Sequence, residues 1–389
     1  MGVKMKIKNN QSRIIKDTIC KILLYLASAL SVMTLVVIIG FVFVKGLPGI
    51  NLDFLTRDWQ NKTTFINVEL KNTEDTDLSD SYIASLSAYV EQDEDGNYAI
   101  TKLEKDSSLK AAKNLKGAEY EIKVDDVITK VVATNSKDIT LEELNKEFND
   151  AAMNGETLKL KVTRPGGGIK PMVVSTLYII LLSLAIAAPI GILSALYLTE
   201  YAKKGKILTV IQFAIQMLAG IPSIIYGLFG MLVFVQMLKM QYSILAGALT
   251  LSILLLPTLI STTSEALKAI PKGYRESSLG LGATKLQTNF KIVLPNALPG
   301  ILVAIILSIG RIVGESAALI WTAGTIAQIP SALTGNSASA ATLTTKLYQL
   351  LKEEGDVASA CSIAVVIIVL IWALNLLSKW ITRRFTVKN

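Results

Sequence analysis

Long apolar runs without charge are the feature that most constrains the fold of this chain. A helix needs about 20 apolar residues to cross the hydrocarbon core of a bilayer. Five runs of at least that length contain no Asp, Glu, Lys or Arg: Ile22–Val44, Met172–Leu198, Ile207–Leu238, Met240–Ser264 and Val357–Ser378. A sixth, from Asn296 to about Ile326, is interrupted only by Arg311 and Glu315. We therefore predict a mainly α-helical, polytopic membrane protein with six transmembrane helices.

The distribution of charge predicts the orientation of these spans. Residues 46–170 hold 23 acidic and 16 basic residues, whereas the rest of the chain holds 8 acidic and 23 basic. A basic chain can bind nucleic acid, but in this sequence the Lys and Arg residues cluster at the ends of alternate spans. Cytoplasmic segments carry such an excess of Lys and Arg. We therefore predict a cell-membrane protein with both termini in the cytoplasm and residues 46–170 outside it.

These assignments divide the chain into a basic cytoplasmic tail at 1–21, a first span at 22–45, an extracytoplasmic insertion at 46–170 and a core at 171–385. The core contains five spans and a cytoplasmic loop at 265–295. The first span is too long for the apolar part of a cleaved signal peptide, so we interpret it as a retained anchor. Cys20 and Cys361 fall at opposite membrane faces in this topology, and no disulfide is expected.

The insertion has a mixed α/β pattern in its second half. Residues up to about 95 are polar, and we predict an irregular structure for them. Tyr98–Leu103 is then strand-like, and Ser107–Leu115 is predicted to be helical. Thr140 and Glu143 have the spacing of a capping box for a helix that runs to about Ala152. Apolar residues alternate in the final predicted strand, at Leu158, Leu160 and Val162.

This order resembles a PDZ-like domain of the bacterial type over about residues 97–165, with 166–168 as a flexible glycine join. The Gly-rich loop that holds a peptide carboxylate in such domains is not evident before Tyr98. The resemblance therefore favours a spacer or docking surface over classical peptide binding. Recognition of another extracytoplasmic protein is the alternative.

The polar island at residues 276–295 is patterned for contact with a partner. Apolar Leu279, Leu281, Leu286 and Phe290 alternate with polar residues, which predicts short amphipathic helices around Gly280 and Gly282. The spacing resembles the EAA loop of ABC importer permeases, with serines where alanines are usual. The matching positions are Glu276, Ser277, Ser278, Gly282, Ile292, Leu294 and Pro295. The resemblance implies that this loop docks on a separate ATP-binding subunit.

Three further motifs, at residues 197–201, 218–230 and 309–317, resemble the phosphate (Pst) permeases. Glycines and prolines recur at membrane depth in this part of the chain, as expected for contacting or broken helices. The resemblance covers about residues 170–385 and implies a type I ABC importer (MetI-like) permease core. The runs at 198–202 and 314–317 are more similar to the A-type subunit. A C-type sister subunit, or a permease for another anion, is the alternative.

The resemblance also implies partners. The chain would form half of a heterodimeric pore with a C-type permease subunit, two copies of an ATP-binding subunit and an extracytoplasmic phosphate-binding protein, in membrane lipid. No Walker A sequence is present, so the chain is predicted not to be an enzyme, and ATP hydrolysis is expected in a partner. No nucleic acid, metal or cofactor is expected.

Arg311 and Glu315 are the candidate substrate-pathway residues with charge. An arginine at membrane depth costs about 2.5–3.5 kcal/mol on insertion scales, so it should face the bundle interior or a wet cavity. Its planar fork suits a phosphate oxyanion, and Glu315, one helical turn further on, would partly neutralise it. Ser223, Tyr226 and Ser316 are candidate neutral donors. The alternative is an ion pair that only joins two helices.

Three other classes of membrane protein fit the sequence less well. A membrane protease is excluded in its zinc and Ser-His forms, because the chain contains no histidine. A passive channel or non-ABC carrier does not account for the spacing of the loop at 276–295. A membrane-anchored scaffold would need one span rather than six.

Overall fold

The computed structural model describes residues 2–70, 81–93, 96–115, 117–132 and 134–385. The chain forms two compact units. One consists of Thr56–Lys170, and the other of Met1–Leu55 together with Pro171–Asn389. We call the first the inserted unit and the second the membrane unit.

Thirteen α-helices occur in the described part of the chain. In chain order they are α1 Gly2–Gly46, α2 Leu52–Thr56, α3 Leu141–Met153, α4 Lys170–Leu196, α5 Lys206–Ala219, α6 Ser223–Gly230, α7 Ile244–Ala269, α8 Lys272–Gly280, α9 Lys285–Thr288, α10 Leu294–Gly314, α11 Ala317–Ile320, α12 Leu343–Gln349 and α13 Val357–Phe385. Turns of π-helix extend four of them: Tyr197–Tyr201 after α4, Met231–Met237 after α6, Asn289–Val293 after α9 and Leu350–Glu354 after α12.

The membrane unit contains five helical segments that are long and apolar enough to span a bilayer. They are Lys16–Gly49, Lys170–Tyr201, Ile244–Ala269, Lys285–Gly314 and Val357–Trp380. The pair α5 and α6 gives a sixth if it is counted as one broken span. The predicted mainly α-helical membrane fold is therefore confirmed, with five to six spans.

The apolar run Ile207–Leu238, predicted as one span, is broken into two helices. The axes of the two helices in this stretch differ by 96° at residues 220–222. Gly220 follows the last residue of α5, and Pro222 has no N–H to continue a helix. Proline also disfavours helical geometry at the residue before it, so the run breaks at this point.

Close contacts at glycine hold the helices of the membrane unit together. A Cβ atom on Gly227 of α6 would lie 2.7 Å from the Cα atom of Ala318 in α11, and one on Gly191 of α4 would lie 2.8 Å from the Cβ of Leu259 in α7. Small residues permit this approach in membrane bundles. A buried apolar cluster joins the ends of α4, α7 and α10 next to the loop at 272–293. Its members are Ala195, Leu196, Leu267, Ile270, Val293, Ala297 and Ile301.

The inserted unit is built on one antiparallel sheet with α3 packed on it. Its strands are β1 Lys62–Glu69, β2 Tyr82–Ile83, β3 Ala88–Gln92, β4 Tyr98–Leu103, β5 Lys113–Asn114, β6 Val127–Val131, β7 Thr134–Asn135 and β8 Thr157–Arg164. Their order is β2-β3-β4-β6-β8-β1-β5, with β7 paired to β6. Leu144 and Phe148 of α3 are fully buried in the core against this sheet.

Two predictions for the inserted unit are wrong. Residues 62–69 are not irregular, because β1 pairs with β8 along its whole length, from Lys62 opposite Arg164 to Glu69 opposite Thr157. The partners are about a hundred residues apart, and the polar residues at the start of β1 hide its alternation. The predicted helix at Ser107–Leu115 is a short 3-10 turn, Ser108–Ala111, followed by β5. The compact unit Thr56–Lys170 lies within the predicted insertion at 46–170.

The glycines at 166–168 are packed rather than a free linker. The N–H of Gly167 donates to the Trp59 carbonyl at 2.9 Å, and the N–H of Gly168 donates to the Asp58 carbonyl at 3.1 Å. A Cβ atom on Gly166 would collide with the carbonyl oxygen of Trp59. The predicted flexible join is therefore a segment tied to residues 57–60. Gly166 and Gly168 leave no room for a side chain, whereas Gly167 has open space and a φ of +87° that favours glycine.

Candidate functional site: the loop between α7 and α10

The turn between α8 and α9 has a conformation that requires glycine. The N–H of Gly282 donates to the Leu279 carbonyl at 3.0 Å, and that of Ala283 to the Ser278 carbonyl at 3.2 Å. This is the Schellman pattern, in which the residue after the helix cap is left-handed. Gly282 has φ +86°, and nothing lies within 4 Å of a Cβ atom placed there. Backbone conformation, rather than space, thus selects glycine at this position.

Two contacts across the turn fix α8 against α9. The hydroxyls of Ser278 and Thr288, both buried, are 2.9 Å apart. Thr284 caps α9, because its hydroxyl accepts the Gln287 N–H at 3.2 Å while the Gln287 side chain accepts the Thr284 N–H at 2.9 Å. The serine at 278, where the EAA pattern has alanine, is therefore matched by a hydroxyl on the facing helix.

Large apolar side chains are exposed on this helical hairpin. Leu281, at the tip, is 89% exposed, more than any other large apolar side chain in the part of the chain that the structure describes. Exposed apolar surface that is rimmed by polar groups marks interaction sites. Glu276 and Ser277 are exposed or partly exposed beside it. We call this surface the docking face, and its apolar members are Tyr274, Leu279, Leu281, Leu286 and Phe290.

The second half of the loop is continuous with a membrane helix. Helix α9, the π-turn and α10 form one helical run from Lys285 to Gly314, which is 30 residues long. At 1.5 Å per residue this run is about 45 Å long. Ile292 and Leu294 are partly buried within it, and Pro295 lies in the first turn of α10, where its missing N–H costs little. Arg311 lies at the other end of the same run.

Glu200 and Arg275 form a contact that no pattern in the sequence predicted. The guanidinium Nη2 is 2.7 Å from Glu200 Oε1, and Nε is 3.1 and 3.2 Å from the two carboxylate oxygens. The two residues are 75 positions apart, so no helical or strand periodicity in the sequence could indicate that they are in contact. The available signal was positional, since Glu200 lies in the motif at 197–201 and Arg275 directly precedes Glu276.

The structure places Arg311 without an ion pair to Glu315. Within the described residues no acidic oxygen lies within 4.0 Å of its guanidinium, and Nη1 instead donates to Thr258 Oγ1 of α7 at 3.1 Å. The expectation that Glu315 lies one turn further along the same helix is wrong, because α10 ends at Gly314. The Glu315 carboxylate accepts the Ala318 N–H at 3.2 Å, which caps the start of α11.

The candidate neutral donors lie on α6 and at the start of α11. The hydroxyl of Tyr226 in α6 donates to the Leu218 carbonyl at 2.8 Å. Ser223 begins α6, and Ser316 is the N-cap residue of α11. Since α6 and α11 touch at Gly227 and Ala318, the structure brings together the two helices that carry these candidate donors.

Comparison with known proteins identifies the family. A family model described as "Binding-protein-dependent transport system inner membrane component" matches residues 187–387, about half of the chain. The chain belongs to this family. The matched region includes α5 to α13, the docking face and Arg311, and it excludes the inserted unit.

Curated relatives are similar to part of the chain. The chain is 36% identical over 168 residues to the "Probable ABC transporter permease protein YqgI" of Bacillus subtilis, covering 43% of this chain and 57% of that protein. It is 41% identical over 181 residues to the "Phosphate transport system permease protein PstA homolog" of Mycoplasma pneumoniae, covering 45% and 27%. The chain thus spans about half or less of the length of these relatives. A solved chain of the MetNI methionine ABC transporter is 23% identical, with 56% and 94% coverage and a TM-score of 0.45.

Proposed function

We propose that this chain is an A-type permease subunit of an ATP-driven importer of inorganic phosphate. It forms half of a translocation pore and receives the energy of ATP hydrolysis from a separate subunit through the docking face. Family membership supports the permease role. Several curated relatives named as phosphate transport permeases of the PstA type support phosphate as the substrate and the A-type assignment.

The observation that carries the coupling role is the continuity of the docking face with α10. The exposed hairpin offers apolar side chains and a rigid turn at Gly282, as a surface that inserts into a partner requires. The helical run from Lys285 ends at Gly314, just beyond Arg311, so a displacement of the hairpin is passed along a helix to the level of Arg311. Glu276, Ser277 and Ser278 orient the first half of the hairpin, while Ile292, Leu294 and Pro295 join the second half to the membrane.

Arg311 is the proposed substrate contact. Its guanidinium donates to a neutral hydroxyl, and within the described residues no carboxylate within 4.0 Å compensates its charge. A planar fork of this kind binds two oxygens of a phosphate at once. We assign Tyr226, Ser223 and Ser316 to the same pathway as neutral donors, and the Glu315 carboxylate caps the start of α11. A weak site of this composition permits release as well as binding.

The partners follow from the same proposal. A C-type permease subunit completes the pore, two ATP-binding subunits engage the docking faces, and an extracytoplasmic binding protein delivers phosphate. Both termini and the docking face are cytoplasmic, and the inserted unit is outside. The PDZ-like identity of that unit stays a proposal, supported by its single cap-stabilised helix between the last two strands.

Radiolabelled phosphate uptake in cells that lack this chain, and in cells in which it is restored, tests the proposal. Uptake should fall on deletion and return on restoration, and an ATP-binding subunit should co-purify with the restored chain. Uptake that is the same in both strains excludes the phosphate role. If uptake depends on the chain and no ATPase co-purifies, a passive carrier explains the result better. Competition by sulfate or another anion in the same assay distinguishes a permease with a different substrate.

A further inference from the structure

The π-helical turn Tyr197–Tyr201 at the end of α4 has no part in the function described so far. Its residue Glu200 is bound by Arg275 through three contacts of 2.7–3.2 Å. The Glu200 side chain is only 9% exposed and that of Arg275 19%. A carboxylate gripped by the planar guanidinium fork is fixed in orientation as well as in distance.

Arg275 joins a third element to this pair. Its Nη2 atom donates to the Leu267 carbonyl at 2.8 Å, and Nη1 donates to the Ile270 carbonyl at 2.9 Å. These carbonyls belong to the last turn of α7 and the residue that caps it, where helix carbonyls lack partners in the helix. One side chain of α8 therefore ties together the ends of α4 and α7.

The next residue of the same turn reaches the other half of the hairpin. The ammonium group of Lys285, the first residue of α9, lies 5.0 Å from the centre of the Tyr201 ring. This distance is within the range of a cation–π contact. Consecutive side chains at the end of α4 thus contact α8 and α9, the two helices that carry the docking face.

We propose that Glu200 is a positioning residue that acts through Arg275. This ion pair, with Tyr201, fixes the helical hairpin of α8 and α9, which carries the docking face, to α4 and α7. These contacts make the hairpin move as a rigid body with these helices. When the ATP-binding subunits shift the docking face, α4 and α7 move with it instead of the hairpin bending at Pro271. This inference rests on the proposed function, since it assigns residues to the coupling step.

The test uses the complete transport complex, purified and reconstituted in vesicles, with phosphate moved per ATP hydrolysed as the readout. Glu200→Gln keeps the shape of the side chain and removes its charge, whereas Arg275→Lys keeps the charge and removes the fork. Each variant complex should retain its ATP-binding subunits and its KM for phosphate. Each should move about fivefold less phosphate per ATP. The double variant should be no worse than the more severe single variant, because the residues act as a unit.

Two matched sets of variants control for a general loss of stability. Tyr201→Phe keeps the ring and should behave like the parent, while Tyr201→Leu should lower the ratio about twofold. Lys346, a buried residue of the membrane unit outside the hairpin, forms an ion pair with Glu354 in which Nζ lies 2.7 Å from Oε1. Glu354→Gln removes the charge of this partner and should leave the amount of phosphate moved per ATP unchanged.

An unchanged amount of phosphate moved per ATP in both the Glu200→Gln and the Arg275→Lys complexes would overturn the inference. So would loss of the ATP-binding subunits from these complexes, because the ion pair would then serve assembly alone. Failure of the parental complex to move phosphate with ATP would contradict the proposed function itself, and it would be seen in the parental sample rather than in the variants.

Discussion

Arg311 is a charged residue within a membrane span, and in the part of the chain that the structure describes no carboxylate oxygen lies within 4.0 Å of its guanidinium. Its guanidinium donates to the Thr258 hydroxyl, and Glu315 lies beyond the end of α10 and caps α11. A structural arginine in a span is normally paired with a carboxylate or with carbonyls, since the unpaired charge costs about 2.5–3.5 kcal/mol on insertion scales. An anion that passes along the path would compensate this charge transiently, which is the role we assign to phosphate.

Two substitutions of Arg311 should distinguish the contribution of its charge to transport from that of its planar guanidinium. Arg311→Gln should lower phosphate uptake about tenfold or more, while Arg311→Lys should recover only part of it, because lysine keeps the charge and loses the two-pronged contact. Uptake of labelled phosphate at equal membrane expression measures this, with co-purification of the ATP-binding subunit as a control for assembly. Parental uptake by the Arg311→Gln variant would make the arginine structural.

Gly282 has a left-handed backbone conformation that few other residue types tolerate. At its φ of +86°, a residue with a Cβ atom would be strained by on the order of 1–3 kcal/mol, although the space around the position is open. Gly282→Leu should therefore disturb the turn and weaken binding of the ATP-binding subunit or uncouple it from transport. Gly282→Asn is the matched control and should retain most activity, because asparagine tolerates the left-handed conformation.

Stimulated ATPase activity and phosphate uptake of the two Gly282 variants measure this difference. Full activity of Gly282→Leu would show that the Schellman turn is not needed for docking. Equal loss in both variants would mean that any side chain at this position blocks the partner, which would replace the conformational explanation with a steric one.

At the scale of elements, the apolar runs were sufficient to predict the spanning helices but not the bend between α5 and α6. Gly220 and Pro222 were visible in the sequence, yet uninterrupted hydrophobicity on both sides favoured one span. The angle of 96° depends on what each half packs against. Strand β1 was missed for a related reason, because its stabilising partner β8 is far away in sequence. The Glu200–Arg275 pair was likewise invisible to local patterns.

The start of α3 was predicted correctly because capping is local. The hydroxyl of Thr140 accepts the Glu143 N–H at 3.4 Å, and the Glu143 carboxylate accepts the Thr140 N–H at 3.0 Å. This hydrogen bond from the Thr140 backbone, with a smaller contribution from the Thr140 side chain, lowers the pKa of Glu143 below its ordinary value. The folded state therefore favours the ionised carboxylate.

The sign of the pH dependence follows from that lowered pKa. The stabilisation by Glu143 is fully present above its ordinary pKa and is lost as pH falls through the lowered value. A fragment of residues 56–170, which has its own core, should thus melt at a lower temperature below about pH 4, and Glu143→Gln should flatten this dependence. Thermal unfolding followed by circular dichroism measures both. An identical slope in the variant would assign the pH dependence to other carboxylates.

At the scale of the whole molecule, the proposal requires the inserted unit and the docking face to lie on opposite sides of the membrane. Both Ala111 and Leu281 are exposed, so each position accepts a cysteine. In a background without Cys20 and Cys361, Ala111→Cys should react with an impermeant thiol reagent in intact cells. Leu281→Cys should react only after the cells are opened. Labelling of Leu281→Cys from outside would contradict the orientation and the docking role.

ATP-driven accumulation of labelled phosphate in vesicles tests whether this chain forms part of an ATP-coupled phosphate pore. The vesicles should contain this chain, its C-type partner and the ATP-binding subunits, with the loaded binding protein on the outer side and ATP on the docking-face side. We expect phosphate to accumulate only when ATP is hydrolysed, with little competition from sulfate, and we expect accumulation to be lost with Gly282→Leu. Phosphate movement that is independent of ATP, or equal accumulation without this chain, would contradict the account.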